Sequence, residues 1–172
     1  MKTWEEVVEF HGHECPGLAI GYAVSKAAQK YLDIDFSNDE EIVCIAENDA
    51  CGLDAIQVML GCTIGKGNLL IRLRGKSVYH FYNRKNKKSV RLVLKLKPNN
   101  LDREEYKKYL LNSNPMDLFE FMESNIEIPE KARIFVSEIC ETCGEKTSEQ
   151  FIRLQGGKKV CTDCYSDYKR FF

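Results

Sequence analysis

Two cysteine pairs near the C-terminus constrain this chain more than any other feature of its sequence. Cys140 and Cys143 form one C-x2-C pair, Cys161 and Cys164 form a second, and 17 residues separate the two pairs. This spacing is typical of four-cysteine zinc sites. Four thiolates complete a tetrahedral shell, so the sequence predicts a structural zinc ion rather than a catalytic one. An iron centre or a redox pair is the alternative for these four thiols.

The segment around these cysteines is too short to fold on an apolar core alone. A tail of about 40 residues buries little surface, so metal binding is expected to supply its folding energy. A β-hairpin is predicted over residues 151–154 and 159–161, which makes the tail a zinc ribbon. Gly144 is predicted to be left-handed in the first knuckle. A final helix is predicted to carry Tyr165, Tyr168, Phe171 and Phe172.

The sequence before this ribbon has the properties of one soluble domain. We predict a core domain over residues 1–130 and the ribbon over residues 131–172. Apolar residues make up 44% and charged residues 30% of the chain, as in ordinary globular proteins. No apolar stretch approaches the ~20 residues that span a bilayer, and the first residues lack the apolar core of a signal peptide. We therefore expect a cytoplasmic protein, without membrane association, whose eight cysteines stay reduced.

Apolar periodicity and turn signals predict an α+β fold for the core domain. The predicted helices cover residues 4–10, 18–32, 52–60, 102–111 and 115–123. The predicted strands cover residues 41–46, 69–74, 77–83, 89–96 and 133–139. Strands grouped after helices favour a mixed or antiparallel sheet with helices packed on one side.

Three potential metal ligands lie close together near the N-terminus. His11, His13 and Cys15 occupy alternate positions, and in an extended loop alternate side chains point the same way. Cys51 is expected at a strand–helix junction, with an exposed thiol activated by the helix N-terminus. A set such as His13, Cys15 and Cys51 leaves one coordination position open, as in catalytic zinc sites. The alternative to a metal site is that the cysteines are buried for packing and the histidines only make hydrogen bonds.

Other polar residues near Cys51 are candidates for supporting roles. Asp49 is expected to cap the helix that begins near residue 52. Asp49 or Asp54 is the candidate for a general base or for a residue that orients a metal ligand. Lys66 lies in a glycine-rich loop over residues 61–68 and is the candidate for holding an anionic group, although this loop lacks the spacing of a phosphate-binding P-loop.

Charge is unevenly distributed along the chain. Residues 71–97 carry ten Lys or Arg and no acidic residue, while the formal net charge of the chain is −1. Such a block either attracts an anionic partner or is a solvated face of the sheet. The acidic remainder of the chain argues against nucleic-acid binding.

Three strings in the first half of the chain resemble one known family. They are FHGHECPGLAIG over residues 10–21, DACGLDAIQ over residues 49–57 and GCTIGKGNL over residues 61–69. Together they resemble the FmdE family, named after a component of formylmethanofuran dehydrogenase. The resemblance implies an α+β core like the C-terminal domain of glyceraldehyde-3-phosphate dehydrogenase, and a homodimer. It also implies a metal or thiol site built from His11, His13, Cys15, Cys51 and Cys62.

The resemblance suggests two functions of different classes. One is a metal-binding protein whose core site, expected to hold a second zinc ion, acts in catalysis or metal handling. The other is a non-catalytic accessory subunit of a molybdenum or tungsten oxidoreductase. The sequence contains no recognisable pterin-binding motif, and the family name by itself does not transfer an activity.

Overall fold

Five helices and five strands make up the described part of the first of two units of the structure. The computed structural model describes residues 2–170, and its internal contacts divide the chain between Ala132 and Arg133. The elements of the first unit are α1 (Trp4–His11), α2 (Pro16–Leu32), β1 (Ile42–Ala46), α3 (Gly52–Leu60), β2 (Leu69–Ile71), β3 (Val78–Asn83), β4 (Lys88–Leu94), α4 (Arg103–Asn112), α5 (Pro115–Leu118) and β5 (Phe119–Met122).

A mixed five-stranded sheet forms the centre of this unit. The strand order is β2-β1-β3-β4-β5. β1 and β2 are parallel, and every other neighbouring pair is antiparallel. In the register, Cys44 lies opposite both Leu69 and Phe81. The predicted α+β class with a mixed sheet is confirmed.

The main hydrophobic core lies between the sheet and the helices. α2 packs against β3 and β4 and against α3, α4 and α5. Its small residues Ala23, Ala27 and Ala28 are buried, which allows a close approach to buried Phe81 and Leu92. The helix begins two residues before its predicted start, because Pro16 at the first helical position is compatible with a helix N-terminus.

The opposite face of the sheet carries a smaller apolar cluster and a buried polar network. Val43, Ile45 and Tyr82 form the cluster, with Leu70 and Ile126 packed against it. The fully buried His80 joins the carboxylate of Glu47 through Nε2 at 3.2 Å and the hydroxyl of Ser124 through Nδ1 at 2.9 Å. Tyr82 donates to the carbonyl of Ile126 at 2.6 Å. These contacts hold the segment after β5 against the sheet.

The predicted helix over residues 115–123 is wrong in its second half. Only Pro115–Leu118 is helical, and Phe119–Met122 pairs with β4 as an edge strand. The apolar pattern of this short stretch fits either state, and pairing with β4 decides it. The strand predicted to reach residue 96 ends at Leu94, which leaves Leu96 almost fully exposed.

The second unit consists of two small hairpins. Its elements are β6 (Ser137–Ile139), β7 (Lys146–Ser148), a short 3-10 helix (Glu149–Phe151), β8 (Ile152–Gln155) and β9 (Lys158–Cys161). β6 pairs with β7 and β8 pairs with β9, both antiparallel. The second hairpin is the one predicted from the sequence. Residues 165–170 form no helix, contrary to prediction, and Phe171 and Phe172 lie outside the described residues.

No helix in the described range combines the length and apolar character that crossing a membrane requires.

Candidate metal centres

The first candidate centre is built where α1 ends and α2 begins. His11 is the last residue of α1, and Gly12 ends the helix in a left-handed conformation with φ of +89°. Cys15 is the N-cap of α2, and its sulfur accepts a hydrogen bond from the backbone N–H of Leu18 at 3.3 Å. The predicted extended loop is therefore only partly correct. A helix end and a glycine turn bring His11 toward Cys15.

His11, His13 and Cys15 form one donor group. One ligand atom of each lies within 4.8 Å of the others, and the two imidazole ring centroids are 4.5 Å apart. Cys15 is buried, whereas His13 is exposed. The group is thus closed on its sulfur side and open to solvent at His13.

His11 has the hydrogen-bonding pattern of a metal ligand. Its Nδ1 lies 2.7 Å from Oδ2 of Asp54, and Oδ1 of Asp54 accepts a hydrogen bond from the Gln57 amide at 3.1 Å. Its Nε2 is buried and has no hydrogen-bond partner within residues 2–170. A metal-bound histidine usually donates its other nitrogen to a carboxylate in this way. Among the predicted residues, Asp54 is thus placed to orient a ligand.

Cys51 lies beside Cys15 but outside this donor group. It is the N-cap residue of α3, and its thiol lies next to that of Cys15. Burial and the neighbouring Cys15 thiol raise the pKa of Cys51. The metal-free structure thus has a partly buried thiol with a raised pKa at this position, where the sequence predicts an exposed, activated thiol.

Glycine contacts between α2 and α3 bring the two cysteines together. A Cβ atom on Gly21 would lie 2.1 Å from the carbonyl oxygen of Gly52, and one on Gly52 would lie 3.0 Å from that of Gly17. A Cβ atom on Gly17 would lie 3.8 Å from the sulfurs of both Cys15 and Cys51. Backbone-to-backbone packing of two helix N-termini thus creates the cysteine pair.

Asp49 does not cap α3. Cys51 occupies the N-cap position, and Asp49 is exposed. The turn before α3 is instead held by Asn48, whose side-chain oxygen accepts from the Ala50 N–H and whose amide donates to the Lys76 carbonyl. The structure gives Asp49 no contact with the donor group.

Cys62 and Lys66 lie in structural positions away from the donor group. Cys62 is fully buried, its thiol donates to the Ile42 carbonyl at 3.6 Å, and burial raises its pKa to about 12. Lys66 donates to the Ser37 carbonyl at 2.8 Å and lies over the ring of Phe36. The structure therefore does not bring either residue to the site, because both are used in packing the 61–68 loop.

The second candidate centre is the four-cysteine group of the ribbon. Donor atoms of Cys140, Cys143, Cys161 and Cys164 all lie within 4.8 Å of one another. Gly144 is left-handed, as predicted, with φ of +78°. Backbone N–H groups of Cys143 and Cys161 lower the pKa of Cys140 to about 6, whereas the thiols of Cys161 and Cys143 raise that of Cys164 to about 12. Four sulfurs this close ionise together only around a cation.

One contact near the first centre joins residues that are distant in the sequence. Lys107 of α4 lies 2.7 Å from the carboxylate of Glu14, the residue between His13 and Cys15. The two residues are 93 positions apart, so no local pattern indicates the pair.

Together these observations define an α+β metal-binding protein with a four-cysteine zinc finger at its C-terminal end. The sequence matches the family described as FmdE, molybdenum formylmethanofuran dehydrogenase operon, over residues 10–138. This match covers most of the chain, which therefore belongs to the FmdE family. Residues 134–170 match the prokaryotic dksA/traR C4-type zinc finger.

Two known proteins are similar over nearly the whole chain. A crystal structure of a tungsten formylmethanofuran dehydrogenase FmdE-like protein from Syntrophus aciditrophicus has a TM-score of 0.72 at 25% identity, over 93% of this chain and 88% of that one. A probable S-adenosyl-L-methionine-binding protein of Archaeoglobus fulgidus is 29% identical over 93% of this chain. The match spans about half (51%) of that relative's length.

Proposed function

We propose that the core domain binds a zinc ion through His11, His13 and Cys15, in a site that keeps one coordination position open. The observation that carries this proposal is the environment of His11. Asp54 lies 2.7 Å from Nδ1, the buried Nε2 has no hydrogen-bond partner within residues 2–170, and His11 shares a donor group with His13 and Cys15. This donor chemistry fits zinc, which binds imidazole nitrogen and thiolate sulfur.

Three protein donors favour an active centre rather than a closed structural one. Bound zinc would act as a Lewis acid and lower the pKa of a coordinated water to about 7. The protein itself orients His11 through Asp54 and keeps access open at the exposed His13. Cys51 adds a protonated thiol next to Cys15, because its raised pKa disfavours the thiolate in the metal-free protein.

Metal analysis of purified full-length protein tests the proposal. We expect about two zinc ions per chain, since each centre has the donors for one. Replacing the four ribbon cysteines by serine should leave the core ion. His11→Ala combined with Cys15→Ser should leave only the ribbon ion. Cys44→Ala is the matched control, because Cys44 is a fully buried thiol within the sheet.

The finding that would overturn the proposal is metal in the ribbon alone. That result would favour the alternative, a non-catalytic accessory subunit of a molybdenum or tungsten oxidoreductase, which the names of the family and of the structural neighbour suggest. The alternative predicts that a large oxidoreductase partner binds the wild type and Cys51→Ala equally well.

A further inference from the structure

The ion pair between Glu14 and Lys107 adjoins the proposed core site, because Glu14 lies between His13 and Cys15 in the sequence. Lys107 Nζ is 2.7 Å from Oε2 of Glu14 and 2.8 Å from Oε2 of Glu104. The Lys107 side chain is only 11% exposed, although it carries a charge. An ammonium group with so little exposure is retained where carboxylates compensate its charge, and here two carboxylates do so. The contact is therefore a strong restraint between α4 and the His13–Cys15 loop.

Glu14 occupies the one position between two donors of the site. The loop is extended at Cys15, with φ of −154° and ψ of 161°, and in extended backbone successive side chains point to opposite sides. Contact of Glu14 with Lys107 thus directs the next side chain, that of Cys15, the other way, and it fixes the backbone that follows His13.

We propose that Lys107 is a positioning residue for the core metal site, acting through Glu14 to fix the loop that presents His13 and Cys15. This inference rests on the proposed function. It adds a second restraint to the one that Asp54 places on His11. The two restraints come from opposite ends of the loop, since Asp54 holds His11 before Gly12 and Lys107 holds Glu14 after it.

A competition titration of full-length protein against a chromophoric zinc chelator tests the inference. Lys107→Met should weaken zinc binding at the core site about 10-fold to 100-fold, the usual effect of losing an outer-shell contact. Lys107→Arg keeps the charge and should retain most of the affinity. Lys108→Met is the matched control, because Lys108 is an exposed lysine on the same helix. Ribbon zinc serves as the internal reference in every sample.

Glu14→Gln separates positioning from a general loss of stability. The Glu14 side chain is 47% exposed, so this variant should fold even if Lys107→Met does not. It should show the same loss of affinity, and the double variant should lose no more than either single one, because the two residues act through one contact. Thermal unfolding of metal-free Glu14→Gln should change little.

Two outcomes would overturn the inference, and they are distinguishable. If the wild type holds two zinc ions and both Lys107→Met and Glu14→Gln bind the core ion as the wild type does, the ion pair does not position the site. If the wild type holds only ribbon zinc, the proposed function itself fails, and the inference fails with it.

Discussion

Asp54 is the residue on which the proposed chemistry of His11 depends. Its carboxylate fixes one imidazole nitrogen and so determines which nitrogen is free for a ligand. We expect Asp54→Ala to weaken core zinc affinity about 10-fold or more, because the ring loses its orientation. Chelator competition measures the change. Asp35→Ala, at an exposed aspartate, is the control, and equal affinities for the two variants would contradict this role.

His80 links protein stability to pH. Burial lowers the pKa of His80, with help from Arg91 and Arg72, although Glu47 opposes the shift. The unfolded chain therefore binds a proton more readily than the folded chain, so the contribution of His80 to stability is complete above the unfolded pKa of about 6.5 and declines as pH falls toward the folded value.

Urea unfolding from about pH 8 to pH 5 measures this dependence as the free energy of unfolding. We expect the wild type to lose more stability on acidification than His80→Gln, which has no imidazole to titrate. Both proteins lose the same metal-dependent stability in acid. The difference between their plots of unfolding free energy against pH therefore reports the contribution of His80 alone. Parallel curves would contradict the assignment.

The sequence predicts the donor residues of the proposed site better than it predicts the residues that orient them. The sequence identifies His11, His13 and Cys15 as candidate ligands because they are close together in it. The pairing of His11 with Asp54 crosses 43 positions and depends on how α3 packs. The raised pKa of Cys51 depends on burial, which a helix N-terminus in the sequence does not reveal.

At the scale of elements, α2 and α3 pack backbone to backbone at Gly21 and Gly52. We expect Gly21→Ala to destabilise the protein by about 3 kcal/mol or more, the upper range for overpacking, because its Cβ would lie 2.1 Å from the Gly52 carbonyl oxygen. Urea unfolding measures the loss. The same change at Gly65, where a Cβ meets nothing within 4 Å, should be nearly neutral. If Gly21→Ala leaves the free energy of unfolding unchanged, α2 and α3 can move apart at little cost.

Most elements follow from local pattern, and the exceptions have one physical cause. The capping box of Thr3 and Glu6 begins α1, and Gly61 ends α3 in a left-handed conformation. β5 and the ribbon strand β7 are short and acquire their state by pairing. Their partners are distant in the sequence or only three residues long, so periodicity gives no signal for them. Of the strand predicted over residues 133–139, only Ser137–Ile139 forms, as β6.

At the scale of the whole molecule, the chain consists of two units with different sources of stability. The core domain has an extensive buried apolar cluster, whereas the only buried apolar cluster found in the described part of the ribbon is Cys140, Val160 and Cys161. We expect replacement of the four ribbon cysteines by serine to abolish amide-exchange protection in residues 133–170 and to leave protection in α2 and β3, because only the ribbon depends on metal for folding.

Hydrogen exchange followed by mass spectrometry gives this result segment by segment. Cys62→Ala in the core is the control, since it removes a buried thiol without touching the ribbon. Retained protection in residues 133–170 of the serine variant would show that the hairpins fold without zinc. Loss of protection throughout the chain would show that the two units unfold as one.

The glycine contact between α2 and α3 also has a consequence for redesign. The close approach of the two backbones depends on glycine at positions 21 and 52, whereas a Cβ at position 17 would make only ordinary van der Waals contacts. An engineer who wishes to change the metal preference of the proposed core site should hold positions 21 and 52 constant and diversify the loop that carries the histidines. Libraries that randomise those two positions would mostly yield misfolded clones.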